Sequence, residues 1–237
     1  MKIGGFQKTS LKDYPGKISS IIFTIGCNFR CPFCYVPELV LPEKIKEIKE
    51  ISEASIFSYL RENKKFIDAV VITGGEPTLQ PDLITFIRKV KSMNFLVALE
   101  TNGTNPSIIQ TLINDKLIDY VEVDVKTRLV FKKYNEIVGN VLTREMFENI
   151  KNTIKLLIDS NVNYEFRTTI CKEYHSTNDI LSICKFIKGA KVYYIQNVRN
   201  PGDLIGRRKL TSFSDKEIKK IIEKGKKFVN IVYREQN

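Results

Sequence analysis

Cys27, Cys31 and Cys34 stand at C-x3-C-x2-C spacing on one short loop, where their side chains can converge. Thiolates are soft ligands for iron–sulfur clusters or zinc. A structural zinc takes four ligands, and no fourth Cys or His is near in sequence. Three thiolates on a four-iron cluster leave one iron open to a substrate or cofactor, as a catalytic zinc keeps an open position. The 237 residues contain five Cys and one His, so a multi-His metal site is excluded and a Ser-His-Asp triad would have to use His175. An odd Cys count in a cytosolic protein points to metal or redox chemistry rather than disulfides. Of the remaining two, Cys171 can reach an interior face and Cys184 reads as helix core. His175, alone in a loop, reads as exposed and inert.

Two other segments carry chemistry. Thr73-Gly74-Gly75-Glu76-Pro77 follows a buried apolar run, so two Gly let backbone approach a ligand closely and Glu76 places an acceptor there. Glu100-Thr101-Asn102-Gly103 ends the next run, and its acceptor pair suits ribose hydroxyls or simply an Asn-Gly turn.

The elements that position these residues alternate in kind. Short β-branched runs at 18–25, 69–73, 96–100, 120–126, 162–170 and 192–196 read as buried strands. Helical spacing fills 52–65, 81–93 (Pro81 as its first residue), 106–114, 144–160, 177–188 and 214–228. Six strand-helix units predict a parallel sheet wound right-handedly, either open and doubly wound or a partial (β/α)6 TIM-like barrel, with function at the C-terminal strand ends. The alternation at 121–126 decides between them. Val121, Val123 and Val125 face one way, and Glu122, Asp124 and Lys126 the other. Three charges on one face of an internal strand would be costly under helices but suit a ligand-filled lumen, which favours the barrel. In the fifth run Glu165, Arg167, Thr169 and Cys171 share a face. Arg167 suits either a substrate carboxylate or an ion pair with Glu165 or Glu122, and Gln196 ends the sixth run as a potential donor to a cofactor.

No linker divides the chain, so residues 1–237 read as one domain, with 1–17 an N-terminal hairpin or cover and 197–237 a C-terminal loop and helix. No stretch is apolar and long enough to span a membrane, and the N-terminus lacks a signal pattern, which predicts a cytoplasmic protein. The net charge of +11 falls largely on amphipathic patterns such as Lys216, Lys219, Lys220, Lys224, Lys226 and Lys227. It reads as a solvated surface rather than a nucleic-acid footprint.

The Cys27–Cys34 motif resembles the hallmark of the radical S-adenosylmethionine superfamily, and the likeness runs along nearly the whole chain. The resemblance implies a 4Fe–4S cluster held by Cys27, Cys31 and Cys34, with the cluster loop after the first barrel strand. Its unique iron would chelate the amino and carboxylate groups of S-adenosyl-L-methionine, and one-electron reduction would generate a 5′-deoxyadenosyl radical. It further implies Phe33 against the adenine, Gly74, Gly75, Glu76 and Pro77 at the methionine ammonium, and Glu100, Thr101 and Asn102 at the ribose. Asp124-Val125-Lys126 resembles the Asp-Leu-Lys segment of glycyl radical activating enzymes, where both charged residues reach the cofactor.

Residues 3–17, with Phe23-Thr24 and Gly26–Pro32, look like the activating proteins of anaerobic ribonucleoside-triphosphate reductase. That likeness implies a protein substrate, the glycyl radical subunit of the reductase, and flavodoxin or ferredoxin as electron donor. Tyr35 and Val36 depart from the His-Asn that usually follows the third Cys, which keeps open a radical enzyme acting on a small molecule or RNA. The segment from Arg199 to Lys209 matches no activase feature, and its Arg207, Arg208 and Lys209 suit a partner contact. A non-catalytic iron–sulfur electron carrier is the remaining reading, and it would need no cofactor pocket at 74–77, 100–103 and 124–126.

Overall fold

The computed structural model describes residues 1–200 and 202–235. They form two compact units: Met1–Asn28, Glu38–Thr101 and Ser107–Val121 in the first; Phe29–Pro37, Asn102–Pro106 and Glu122 onward in the second.

In the first unit, β1 (Ile3–Ser10) runs antiparallel to β2 (Ser19–Thr24), from Ile3 opposite Thr24 to Ser10 opposite Ser19. The N-terminal segment is therefore a hairpin strand. β2 then pairs in parallel with β3 (Ala69–Gly74), and β3 with β4 (Leu96–Thr101). Val70, Val71 and Ile72 are fully buried because both sheet faces are covered, which is why the run has no polar alternation. The helices are the short α1 (Pro37–Val40) and α2 (Pro42–Ile45), then α3 (Glu53–Glu62), α4 (Leu83–Ser92) and α5 (Pro106–Asn114). Ser52 caps α3 by accepting from the Ser55 amide. Pro81 is not the first residue of α4: Asp82 occupies the cap position and the helix begins at Leu83.

β5 (Tyr120–Asp124) passes from the first unit into the second. There follow α6 (Phe131–Ile137), α7 (Arg144–Ile158), β6 (Asn163–Ile170), α8 (Thr177–Phe186), β7 (Tyr193–Asn197), α9 (Asp215–Gly225) and β8 (Ile231–Tyr233). β6 pairs in parallel with β7, and β7 with β8. Ser176 and Ser214 start α8 and α9 with reciprocal capping boxes to Asp179 and Glu217.

The strands lie in chain order, β1 through β8. A doubly wound sheet reverses order at a switch point, so this succession belongs to the barrel alternative. Two strands exceed the six expected, β1 at the start and the three-residue β8 at the end. No helix among the described residues is long and apolar enough to cross a membrane.

Candidate active site

In the first unit the chain leaves β2 and turns at Gly26, whose amide donates to the Leu39 carbonyl (2.7 Å) and whose carbonyl accepts from the Glu76 amide (2.7 Å). Cys27 follows directly. The turn after β3 is thereby locked to the turn after β2. A Cβ on Gly75 would collide with the Gly26 carbonyl, and Gly74 adopts φ +111° against the backbone of Thr24. Backbone packing beside Cys27 requires glycine at both positions.

Glu76 is 1% exposed. Its Oε1 accepts from the Thr78 amide (3.1 Å), the Thr78 hydroxyl (2.6 Å) and the Thr101 hydroxyl (2.7 Å). Pro77, also buried, opens the 3₁₀ turn Pro77–Leu79 that this carboxylate caps. Glu100 accepts from the Thr73 hydroxyl at 2.9 Å. The ends of β3 and β4 are thus brought together through two carboxylate–threonine pairs.

In the second unit Cys34 donates from its amide to the Cys31 carbonyl (3.0 Å), so the two thiols sit on one tight turn. Two later residues grip that turn: Ile205 donates to the Cys34 carbonyl (3.1 Å) and Gly206 to the Pro32 carbonyl (2.9 Å). Phe33 is buried, with its ring 6.3 Å from Tyr174 and 6.2 Å from His175. Tyr35, just beyond, is 56% exposed. Asn197 and Asn200 each clasp a residue across the following loop. Asn197 exchanges two hydrogen bonds with Phe213, and Asn200 two with Leu210. Pro201 lies outside the described residues.

The polar face of β5 meets that of β6 as expected. Arg167 donates from Nε to Asp124 Oδ1 (2.9 Å) and pairs with Glu122, so its ion-pair alternative holds for Glu122. Glu165 pairs instead with Arg234 (2.7 Å), which also reaches Glu122 (3.4 Å) and stacks on Tyr194 (3.9 Å). Arg234 was missed in the sequence. The signal was a charge imbalance: Glu122, Asp124 and Glu165 on interior faces face only Lys126 and Arg167, which demands a third cation. Burial would raise the Asp124 carboxyl, but Arg167 and then Lys126 hold it well below the usual carboxylate range. Burial would lower the Lys126 ammonium, but Asp124 and the nearby Cys31 thiol hold it above its ordinary value.

Gln196 donates to the Thr169 hydroxyl (3.0 Å). Asn102 accepts from the amide and hydroxyl of Thr104 in a buried turn. His175 is not exposed: only 4% of it is accessible, because Phe33, Lys126 and Cys171 surround it. Cys171 and Cys184 are both buried, which pushes their thiols up to about 11 and about 12.

The donor set suits a cluster. Among the described residues no trio of His, Cys, Asp or Glu converges on a single-ion position. A 4Fe–4S cluster needs no such convergence, since each thiolate takes a different iron. Three cysteines are available, Cys31 and Cys34 on one turn, and Lys126 supplies positive charge beside Cys31.

The family model described as Radical SAM superfamily matches residues 21–187. A Methanocaldococcus jannaschii protein named as a candidate glycyl-radical enzyme activating enzyme is 39% identical over 99% of this chain and 96% of its own length. The 7-carboxy-7-deazaguanine synthase of Bacillus subtilis is 28% identical over 67% of this chain and 65% of its own. A radical SAM methyltransferase structure from Sphaerobacter thermophilus superposes with a TM-score of 0.72 at 12% identity, covering 97% of this chain and 69% of that one. At that identity the likeness concerns the fold.

Proposed function

This chain belongs to the radical S-adenosylmethionine superfamily, whose members use a 4Fe–4S cluster and S-adenosylmethionine, and on that premise we propose that it installs a glycyl radical on a partner protein. The observation that carries the reading is the near-full-length identity to the M. jannaschii activating-enzyme relative. The likeness of residues 3–17, 23–24 and 26–32 to reductase activators supports the glycyl radical subunit of anaerobic ribonucleoside-triphosphate reductase as the partner. A cytoplasmic flavodoxin or ferredoxin would supply the electron.

In this reading Cys27, Cys31 and Cys34 hold the cluster. Together, cluster and S-adenosylmethionine supply a carbon radical able to remove a hydrogen atom from a glycine. The chain's own residues bind and orient. Glu76 keeps the Gly74–Pro77 turn rigid, so that backbone carbonyls there can accept from the methionine ammonium. Lys126, backed by Asp124 and Arg167, offers the cation for the methionine carboxylate. Glu100, Thr101 and Asn102 line the ribose, Phe33 flanks the adenine, and Gln196 donates from β7.

The test is anaerobic mixing of the reduced, reconstituted protein with S-adenosylmethionine and the reductase. A glycyl doublet in the EPR spectrum is expected, and its absence with a competent reductase would remove the activase reading. Serine at Cys27, Cys31 or Cys34 should abolish both cluster and doublet. The identity to the B. subtilis synthase supports a second reading, a radical enzyme acting on a small molecule. Formation of 7-carboxy-7-deazaguanine without any reductase would select it. Failure to cleave S-adenosylmethionine at all would leave an electron carrier.

A further inference from the structure

His175 is the single histidine in the chain, and the function above makes no use of it. Its ring nitrogens are both engaged. Nδ1 accepts from the Cys171 amide (3.3 Å), which only a lone pair can do. The proton therefore sits on Nε2, and Nε2–H donates to the Lys126 carbonyl at 2.8 Å. The ring faces Phe33 at 6.2 Å, within the range of favourable aromatic pairs. Phe33 lies between Cys31 and Cys34 on the metal-binding turn.

Three elements thus converge on one imidazole. The end of β6 fixes it from below through Cys171. The residue after β5 is fixed by it through the Lys126 carbonyl. The cysteine turn rests on it through Phe33. Tyr174, next in sequence, adds a second ring to Phe33 and is itself held by Arg208, whose Nη2 donates to its hydroxyl (2.8 Å). Burial disfavours the charged form of His175 and lowers its pKa, in keeping with the single-proton arrangement.

We propose that His175 is a positioning residue, which sets the Lys126 ammonium and the Cys31–Cys34 turn at a fixed spacing through its Nε2–H bond and its ring. The proposal rests on the reading in which Lys126 meets the methionine carboxylate. It assigns no contact between His175 and the cofactor. Its effect should appear in the apparent affinity for S-adenosylmethionine, while the chemical step is spared. Removing the donor leaves the Lys126 carbonyl without this partner, with the amide still held by the Tyr134 hydroxyl (3.1 Å), and is expected to raise KM about tenfold.

Because the histidine is unique, ¹⁵N-histidine NMR of the full-length protein reports on it alone. A neutral ring protonated on Nε2 is expected at pH 8, and a neutral ring protonated on Nδ1 would overturn the geometry. His175→Leu should keep its iron and kcat for S-adenosylmethionine cleavage but raise KM about tenfold. H175Q, whose amide can donate from the same position, should restore KM to within about twofold of the parent. A leucine variant with parental KM overturns the proposal. So does a folded glutamine variant with no rescue, which also covers the case in which leucine fails to fold. A parent protein that never cleaves S-adenosylmethionine would defeat the radical reading instead, and the NMR measurement would still decide the geometry.

Discussion

Lys126 reaches back to Asp124, its ammonium 2.8 Å from the carboxylate, although the two are separated by a single residue. Arg167 takes the other oxygen at 2.9 Å. One carboxylate thus restrains two cations, and the folded state lowers its pKa. The stability it provides is complete above the ordinary Asp value near pH 4 and fades only in strongly acid solution. Asp124→Asn should cost about 3 kcal/mol at neutral pH, because two partly buried cations lose their partner. Urea melts of parent and variant should differ by that amount at pH 7 and converge at strongly acid pH.

Glu76→Ala should be more damaging than E76Q. The alanine removes the acceptor shared by the Thr78 amide and the Thr78 and Thr101 hydroxyls, at a cost of about 3 kcal/mol. Glutamine keeps an acceptor oxygen and should cost about 1 kcal/mol. Thermal melts of the two variants should separate clearly, and equal losses would mean that the charge, not the acceptor, matters.

Gly75→Ala should lower cluster occupancy. The added methyl meets the Gly26 carbonyl, so the turn leading into Cys27 must shift. Iron and sulfide per chain after anaerobic reconstitution would measure this, and parental values would show that the turn yields without moving the cysteine.

Cys171 and Cys184 should resist alkylation. Burial raises both thiols, to about 11 and about 12, so at pH 8 each stays protonated. Iodoacetamide treatment of the cluster-free protein, followed by peptide mass spectrometry, should label the half-buried Cys27 and Cys34 first. Cys171 and Cys184 should react only after denaturant is added.

Arg207, Arg208 and Lys209 are all exposed, and Arg208 lies over the Tyr174 ring. Reversing Arg207 and Lys209 together to Glu should weaken radical transfer to the partner protein at low salt and leave S-adenosylmethionine cleavage intact. Loss of both would mean that the segment acts on the cysteine turn instead.

The sequence revealed much of this site because its signals were local. Apolar runs located β2 to β7, and the alternation at Val121–Lys126 identified a charged interior face. β8 escaped because Ile231–Tyr233 is three residues long and carries no detectable period. Arg234 escaped with it. His175 escaped for another reason: a lone loop histidine has no pattern, and its burial comes from residues distant in sequence or on another element, Phe33 and Lys126. Glu76 was found but its surroundings were not, since the Thr101 hydroxyl that it receives comes from the next strand.

Strand order also bears on when the parts of the molecule can assemble. Each strand neighbours only the strands before and after it in the chain, so the sheet can extend one strand at a time as the polypeptide emerges. The turn holding Cys31 and Cys34 completes later. Its carbonyls at Pro32 and Cys34 wait for the amides of Gly206 and Ile205, which follow β7 in the chain. A nascent chain can therefore possess much of its sheet while the turn of Cys31 and Cys34 still lacks these two partners, so that turn acquires its final support only after β7 has been made.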